Sequence, residues 1–177
     1  MNPAQVGYIS LFFIMGSLVL VSYYIYWPQY NMLAGLNAKP VFYAWCVSAT
    51  LSTVGFLNFS IQMMLSEKDS QIYELTLIPY FLFLISAAFF MPFASLKKIV
   101  PTLLISVVFA ASSIALAYCS FQIFEWQYTT VLVVFLAIHS TLVDLFFWGW
   151  TWTLEISNSS SMHSVKTTEF VFLTLEP

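Results

Sequence analysis

The sequence has no arginine, and charged residues make up 7% of its 177 positions. A soluble domain has about a quarter of its residues charged. The five basic residues are lysines scattered along the chain, so they form no basic surface that neutralises the phosphates of a nucleic acid. We therefore exclude nucleic acid as a partner, and we expect most of the chain to lie in a solvent other than water.

Cysteines and catalytic motifs are equally scarce. Cys46 and Cys119 both lie in apolar runs, without the close Cys or His neighbours of a zinc site, and two cysteines make no disulfide framework. The chain has no His-Glu-x-x-His, no Gly-x-Ser-x-Gly and no phosphate-binding glycine loop. From these absences we expect no metal, no cofactor and no catalytic residue, and hence a protein that is not an enzyme.

Hydrophobic residues make up 60% of the chain and gather in long runs. A run of about 20 apolar residues crosses the roughly 30 Å of a bilayer core as a helix. We predict an all-α, polytopic membrane bundle over residues 1–156, followed by a polar cytoplasmic tail, 157–177. Pro79 and Pro92 are expected to disturb the third helix. The five predicted transmembrane helices cover residues 6–27, 41–65, 73–96, 99–120 and 128–154.

The distribution of lysines predicts the orientation of this bundle. The link at Lys97 and Lys98 is so short that the third and fourth spans form an antiparallel hairpin. With five spans, Lys39, Lys97, Lys98 and Lys166 share one side, and Lys68 lies on the other. Positive residues favour the cytoplasmic side, so we predict that the N-terminus is outside and the C-terminus is inside.

Small and polar residues recur at steps of three or four along three spans, which puts each set on one helix face. Such faces allow membrane helices to approach closely and to form hydrogen bonds with each other. They therefore indicate either helix packing without a cavity, which is the simpler interpretation, or a polar pocket or path between these spans. The faces comprise Ala44, Ser48, Ser52, Gly55, Asn58 and Gln62 in span two, Thr102, Ser106, Ala110, Ser113, Ala117 and Ser120 in span four, and Ala137, Ser140, Thr141, Asp144, Trp148 and Thr151 in span five.

Asp144 is the most informative residue of these faces, because a carboxylate inside a span is costly to bury and usually has a partner. Residues five apart point about 140° apart on an α-helix, so we expect His139 and Asp144 to lie on different faces. Lys97, Lys98 and serine hydroxyls, such as those of Ser48, Ser52 and Ser106, are the expected partners of the acid. The candidate intramembrane polar site comprises Asp144, Ser140, Thr141, Ser52, Asn58, Ser106 and His139.

Three tryptophans alternate near the end of the fifth span, at Trp148, Trp150 and Trp152. Tryptophan is enriched where a membrane meets water. We predict that the three form an aromatic belt at the inner interface, with Asp144 one to two helical turns below it.

Two hypotheses for the function follow. The first, which we prefer on sequence alone, is a non-catalytic membrane protein that acts as an assembly or accessory subunit. It would contact other membrane subunits through its small-residue helix faces. The second is a small carrier, channel or apolar-ligand binder built on the polar faces of spans two, four and five.

Overall fold

The computed structural model describes residues 3–26, 39–65, 71–125, 127–154 and 156–157. All regular secondary structure in these ranges is helical. The predicted tail, 157–177, lies outside the described residues except for its first position. The helices are α1 (Pro3–Tyr26), α2 (Lys39–Leu65), α3 (Gln71–Leu75), α4 (Leu77–Ser95), α5 (Ile99–Phe124) and α6 (Tyr128–Ile138), which continues as a π-helical segment over His139–Trp148 and as α-helix to Leu154.

Five of these helices are long and apolar enough to cross a membrane, and they coincide with the five predicted spans. No boundary differs from its prediction by more than four residues. Large apolar side chains also cover the outside of the bundle, where Leu20 is 73% exposed and Val100 is 67% exposed. A helix that is apolar on all sides is typical of a membrane span. The prediction of five long apolar helices is therefore confirmed.

The third span is interrupted at Thr76, between α3 and α4. Pro79 has no N–H with which to reach the carbonyl of Leu75, so the regular hydrogen-bond pattern fails at this point. The chain still turns through Thr76, because the Thr76 amide donates to the carbonyl of Ile72 at 3.0 Å. The predicted disturbance is therefore real at Pro79, whereas Pro92 lies inside α4 without ending it.

The five long helices form a closed ring. Helix α1 packs against α2 and α4, α4 packs against α5, α5 packs against α6, and α6 packs against α2. The link between α4 and α5 turns at Lys97, whose positive φ of 53° reverses the chain. The short hairpin predicted at the two lysines is thus observed.

Aromatic side chains fill the middle of the ring. The ring centroids of Phe56 and Phe83 lie 4.7 Å apart, those of Phe83 and Phe109 lie 4.5 Å apart, and Tyr8 meets Tyr80 edge-on at 5.1 Å. Contacts of this kind join α1, α2, α4 and α5 across the bundle. We refer to these five residues, Tyr8, Phe56, Tyr80, Phe83 and Phe109, as the aromatic layer.

The small-residue faces serve helix packing in two places. Gly55 of α2 lies so close to α6 that a Cβ atom on it would be 2.5 Å from the carbonyl oxygen of Leu132. Ala110 of α5 is buried, as is Ser113, which contacts Ser140 of the π-helical segment. The faces of α2 and α5 therefore both meet the fifth span.

We expect Gly55→Ala to destabilise the bundle, because the added methyl group has no room against the backbone of α6. Overpacking of this kind costs about 1–3 kcal/mol. Gly16→Ala is the matched control, since nothing lies within 4 Å of a Cβ atom at Gly16. Thermal unfolding in detergent should give a lower midpoint for Gly55→Ala alone. Equal midpoints for the two variants would show that α2 and α6 do not approach each other through Gly55.

Candidate functional site

The π-helical segment brings His139 and Asp144 together. The Nε2 atom of His139 lies 3.4 Å from Oδ2 of Asp144. The expectation that these residues lie on different faces is wrong, because it assumed α-helical geometry. A π-helix forms its bonds between residues five apart, as the Gly149 amide does with the carbonyl of Asp144. Wider turns therefore put the imidazole and the carboxylate side by side.

Two residues of α2 complete this group. The indole N–H of Trp45 donates to Oδ1 of Asp144 at 3.2 Å, and the Ser48 hydroxyl lies 2.7 Å from Nδ1 of His139. We call Trp45, Ser48, His139 and Asp144 the polar cluster. Its members occupy one face of α2 and the facing side of the π-helical segment, so the cluster joins these two elements.

The partners of Asp144 differ from those expected. Each carboxylate oxygen has a nitrogen partner, namely the Trp45 indole and the His139 imidazole. The expected lysines, Lys97 and Lys98, are exposed at the α4–α5 link. The acid is therefore satisfied from within the bundle by groups of α2 and of its own helix.

A cavity of about 560 Å³ adjoins the polar cluster, and all five long helices contribute to its wall. Ligand pockets typically measure about 300–1,000 Å³. One end is lined by Phe56, Phe83 and Phe109 of the aromatic layer. Its other end is lined by Asp144 and His139 of the cluster, together with Trp45, Tyr23, Phe90 and Trp148. The cavity is thus apolar over most of its wall and polar at one end.

The mouth of the cavity lies between α1 and α2. Among the described wall residues, every exposed side chain belongs to one of these two helices. Gly16 of α1 also leaves open space where a larger residue would project. The exposed wall residues are Phe13, Ser17 and Leu20 of α1 and Thr53 and Leu57 of α2.

Ser52 supplies a further polar group in the cavity wall. The residue is 3% exposed, and its hydroxyl oxygen has no hydrogen-bond partner among the described residues. A buried hydroxyl without a partner costs about 1–3 kcal/mol. By contrast, the neighbouring Thr53 hydroxyl donates to the carbonyl of Ala49. Ser52 therefore retains a free hydrogen-bonding group next to the cavity.

The remaining predicted site residues lie away from the cavity wall. Ser106 donates to the carbonyl of Thr102, and Ser140 donates to the carbonyl of Leu136, each at 2.9 Å. The amide of Asn58 donates to the Thr129 hydroxyl at 2.9 Å, near the opposite end of α2. Thr141 has a buried hydroxyl without a partner in the described part of the chain. The structure thus unites Asp144, His139 and Ser52 around one cavity and gives Ser106, Ser140 and Asn58 to helix packing.

The tryptophans of the fifth span have two different environments. Trp148 and Trp152 are buried and stacked, with ring centroids 5.4 Å apart, whereas Trp150 is 69% exposed. The prediction of a three-residue belt is wrong for two of them, because positions four apart share a helix face that here points inward. Trp148 also contacts Phe90 and forms part of the cavity wall.

Ser48, His139 and Asp144 have the residue types of a nucleophile, a base and an orienting acid. Acyl transfer also needs a reachable nucleophile and donors for an oxyanion. Ser48 is not part of the cavity wall, and it lies within α2, where the helix uses the backbone amides. The described residues also include no group of three or more metal-ligating side chains. The described cluster therefore lacks the cavity access and the backbone donors of an acyl-transfer site.

Sequence reasoning missed the role of Trp45. A signal was present, since Trp45, Ser48 and Ser52 follow each other at steps of three and four on α2. The polar face assigned to this span included both serines but not the tryptophan, whose indole N–H is a hydrogen-bond donor.

No protein-family model, no curated protein and no solved structure matches this chain.

We expect Asp144→Asn to be mild and Asp144→Leu to be strongly destabilising. Asparagine keeps an oxygen for the Trp45 indole, whereas leucine leaves the donors of Trp45 and His139 without an acceptor. Each unsatisfied buried donor costs about 1–3 kcal/mol. Thermal unfolding in detergent should rank the midpoints wild type, Asp144→Asn, Asp144→Leu in falling order. If Asp144→Leu is as stable as the wild type, the cluster does not hold α2 to the fifth span.

Proposed function

We propose that this chain is a multi-pass integral membrane protein that binds a small lipophilic molecule in its cavity. The ligand enters from the bilayer between α1 and α2. The observation that carries this proposal is a cavity of about 560 Å³ whose exposed wall residues all lie on those two helices. Residues flanking the mouth, such as Phe13 and Leu20, are apolar and suit a lipid environment.

The size of the cavity supports binding. Protein interiors are close-packed and contain few voids larger than a water molecule. The aromatic layer shows that this bundle packs densely where its residues fill the space, so the adjoining cavity is a specific departure from that packing. An apolar wall with few polar groups at one end is the usual character of a ligand site.

The positions of the small residues weaken the hypothesis of an assembly or accessory subunit. That hypothesis rests on small-residue faces that contact other subunits. Gly55, Ala110 and Ser113 instead lie inside the bundle, where they meet the fifth span or are buried. The outer surface consists largely of big apolar side chains, which lipid covers without a partner protein. These features favour the ligand-binding hypothesis, although its site differs from the polar path first expected.

For the orientation, we propose that the N-terminus is outside and the C-terminus is inside. Four of the five lysines then lie on the cytoplasmic side, including the exposed pair at the α4–α5 link. The polar end of the cavity is nearer to that side, because Tyr23, Trp45 and Asp144 belong to the helix halves next to it. The protein is expected to be non-catalytic.

The orientation is tested by protease treatment of sealed cells that express the protein with a tag at either end. We expect the N-terminal tag to be removed and the C-terminal tag to be protected until the membrane is permeabilised. Removal of the C-terminal tag from intact cells would reverse the proposed orientation.

The cavity is tested by photolabelling with diazirine derivatives of a long-chain amine and a long-chain alcohol in lipid nanodiscs. We expect at least one probe to label wall residues in a way that excess unlabelled compound suppresses. Ala87→Trp should abolish this saturable labelling, because Ala87 is part of the wall and the indole fills the space.

Ala111→Trp is the matched control for the filled cavity, since Ala111 is exposed on α5. It should label as the wild type does. Labelling that neither excess compound nor Ala87→Trp reduces would refute the ligand-binding function.

A further inference from the structure

We propose that the ligand of this cavity is a lipophilic amine, bound as an ammonium ion against Asp144 with its apolar part toward the aromatic layer. This inference rests on the proposed function and specifies the ligand class of the same site. It depends on the charges of the cavity wall, the free positions on the carboxylate and the aromatic residues around it.

Asp144 gives the wall an acidic group without a lysine beside it among the described wall residues. The described wall includes no lysine, and the chain has no arginine. Within the His139–Asp144 pair, the acid side chain is 22% exposed and the imidazole is 5% exposed. The carboxylate is therefore the member of the pair that an incoming group reaches first.

The carboxylate also has acceptor positions left. Its two oxygens together accept about four hydrogen bonds. Trp45 occupies one position on Oδ1, and His139 occupies one on Oδ2. An ammonium group carries three donors and no acceptor, so it complements the positions that are left.

The hydrogen bonds of His139 are compatible with an additional cation. When the Ser48 hydroxyl donates to Nδ1, the imidazole is neutral and its Nε2 atom, which carries the proton, lies 3.4 Å from Oδ2 of Asp144. The imidazole itself then carries no positive charge. A ligand ammonium provides the positive charge that a protonated imidazole would otherwise supply, without breaking any bond of the polar cluster.

Aromatic residues surround the same end of the cavity. Trp45, Tyr23, Phe90 and Trp148 all line it, and the rings of Phe90 and Trp148 are 5.1 Å apart. Aromatic faces attract ammonium ions, and the attraction grows when water is excluded. A carboxylate beside several aromatic rings is therefore suited to an amine more than to a neutral alcohol, and it repels a fatty-acid anion.

Ser52 is a second, independent indication of a polar ligand. Its buried hydroxyl has no partner in the described structure and lies in the wall. It follows Trp45 by seven residues, or about 10 Å along α2 toward the aromatic layer. A ligand oxygen at that distance from the ammonium satisfies the hydroxyl, so amines that carry such an oxygen belong to the expected class.

The experiment measures saturable binding of tritiated hexadecylamine, hexadecanol and hexadecanoic acid to the protein in zwitterionic nanodiscs, with empty nanodiscs subtracted. In the wild type we expect the amine to bind at least about tenfold more tightly than the alcohol, and the acid to bind weakest. N-acetylhexadecylamine, which has the same chain without the charge, should behave as the alcohol does. This comparison needs no variant.

Asp144→Asn should remove the advantage of the amine, so that amine and alcohol bind this variant with similar affinity. Its thermal midpoint is measured in parallel, so that a loss of fold is not mistaken for a loss of charge. Equal binding of amine and alcohol by the wild type, or unchanged amine binding by a folded Asp144→Asn, overturns the ligand class while the proposed function stands. If none of the compounds binds saturably, the proposed function fails as well.

Discussion

The bundle depends on satisfying one carboxylate within a long apolar helix. Asp144 lies in a helix that is long and apolar enough to cross a membrane, where an acid without partners is very costly. Two nitrogen atoms reach it, one from α2 and one from its own helix. The second contact exists because the helix adopts π-helical turns at this point. The local backbone, the α2–α6 packing and the polar end of the cavity are therefore coupled through a single side chain.

The helices could be predicted from sequence because their causes are local. The length of an apolar run determines whether it can form a span, and Pro79 marks the break three residues before it, at Thr76. The His139–Asp144 contact could not be predicted in this way. Both residues are visible in the sequence, but their spacing separates them in an α-helix and unites them in a π-helix. The environments of the tryptophans could not be predicted either. Their positions in the sequence do not show that Trp148 and Trp152 are buried against neighbouring helices while Trp150 is exposed.

The location of the cavity was hidden from sequence for a different reason. Small polar residues mark faces that come close together, as Gly55 does against Leu132, and such faces leave little space. The cavity instead arises between large side chains of helices that are distant in the chain, such as Phe12 and Phe83. Its volume is the space that remains between those side chains once the helices have packed. The spacing of small and polar residues therefore predicts the contacts of α2 and α5 with the fifth span better than it predicts the cavity beside them.

The helix α1, which lines the mouth of the cavity, is not one of the elements that form the polar cluster. All four cluster residues lie on α2 and the π-helical segment, whereas α1 packs mainly against α4. A widening between α1 and α2 therefore enlarges the mouth without breaking a hydrogen bond of Asp144 or His139. The partners given for the acid lie on α2 and the π-helical segment, so Asp144 keeps them whether the space between α1 and α2 is narrow or wide.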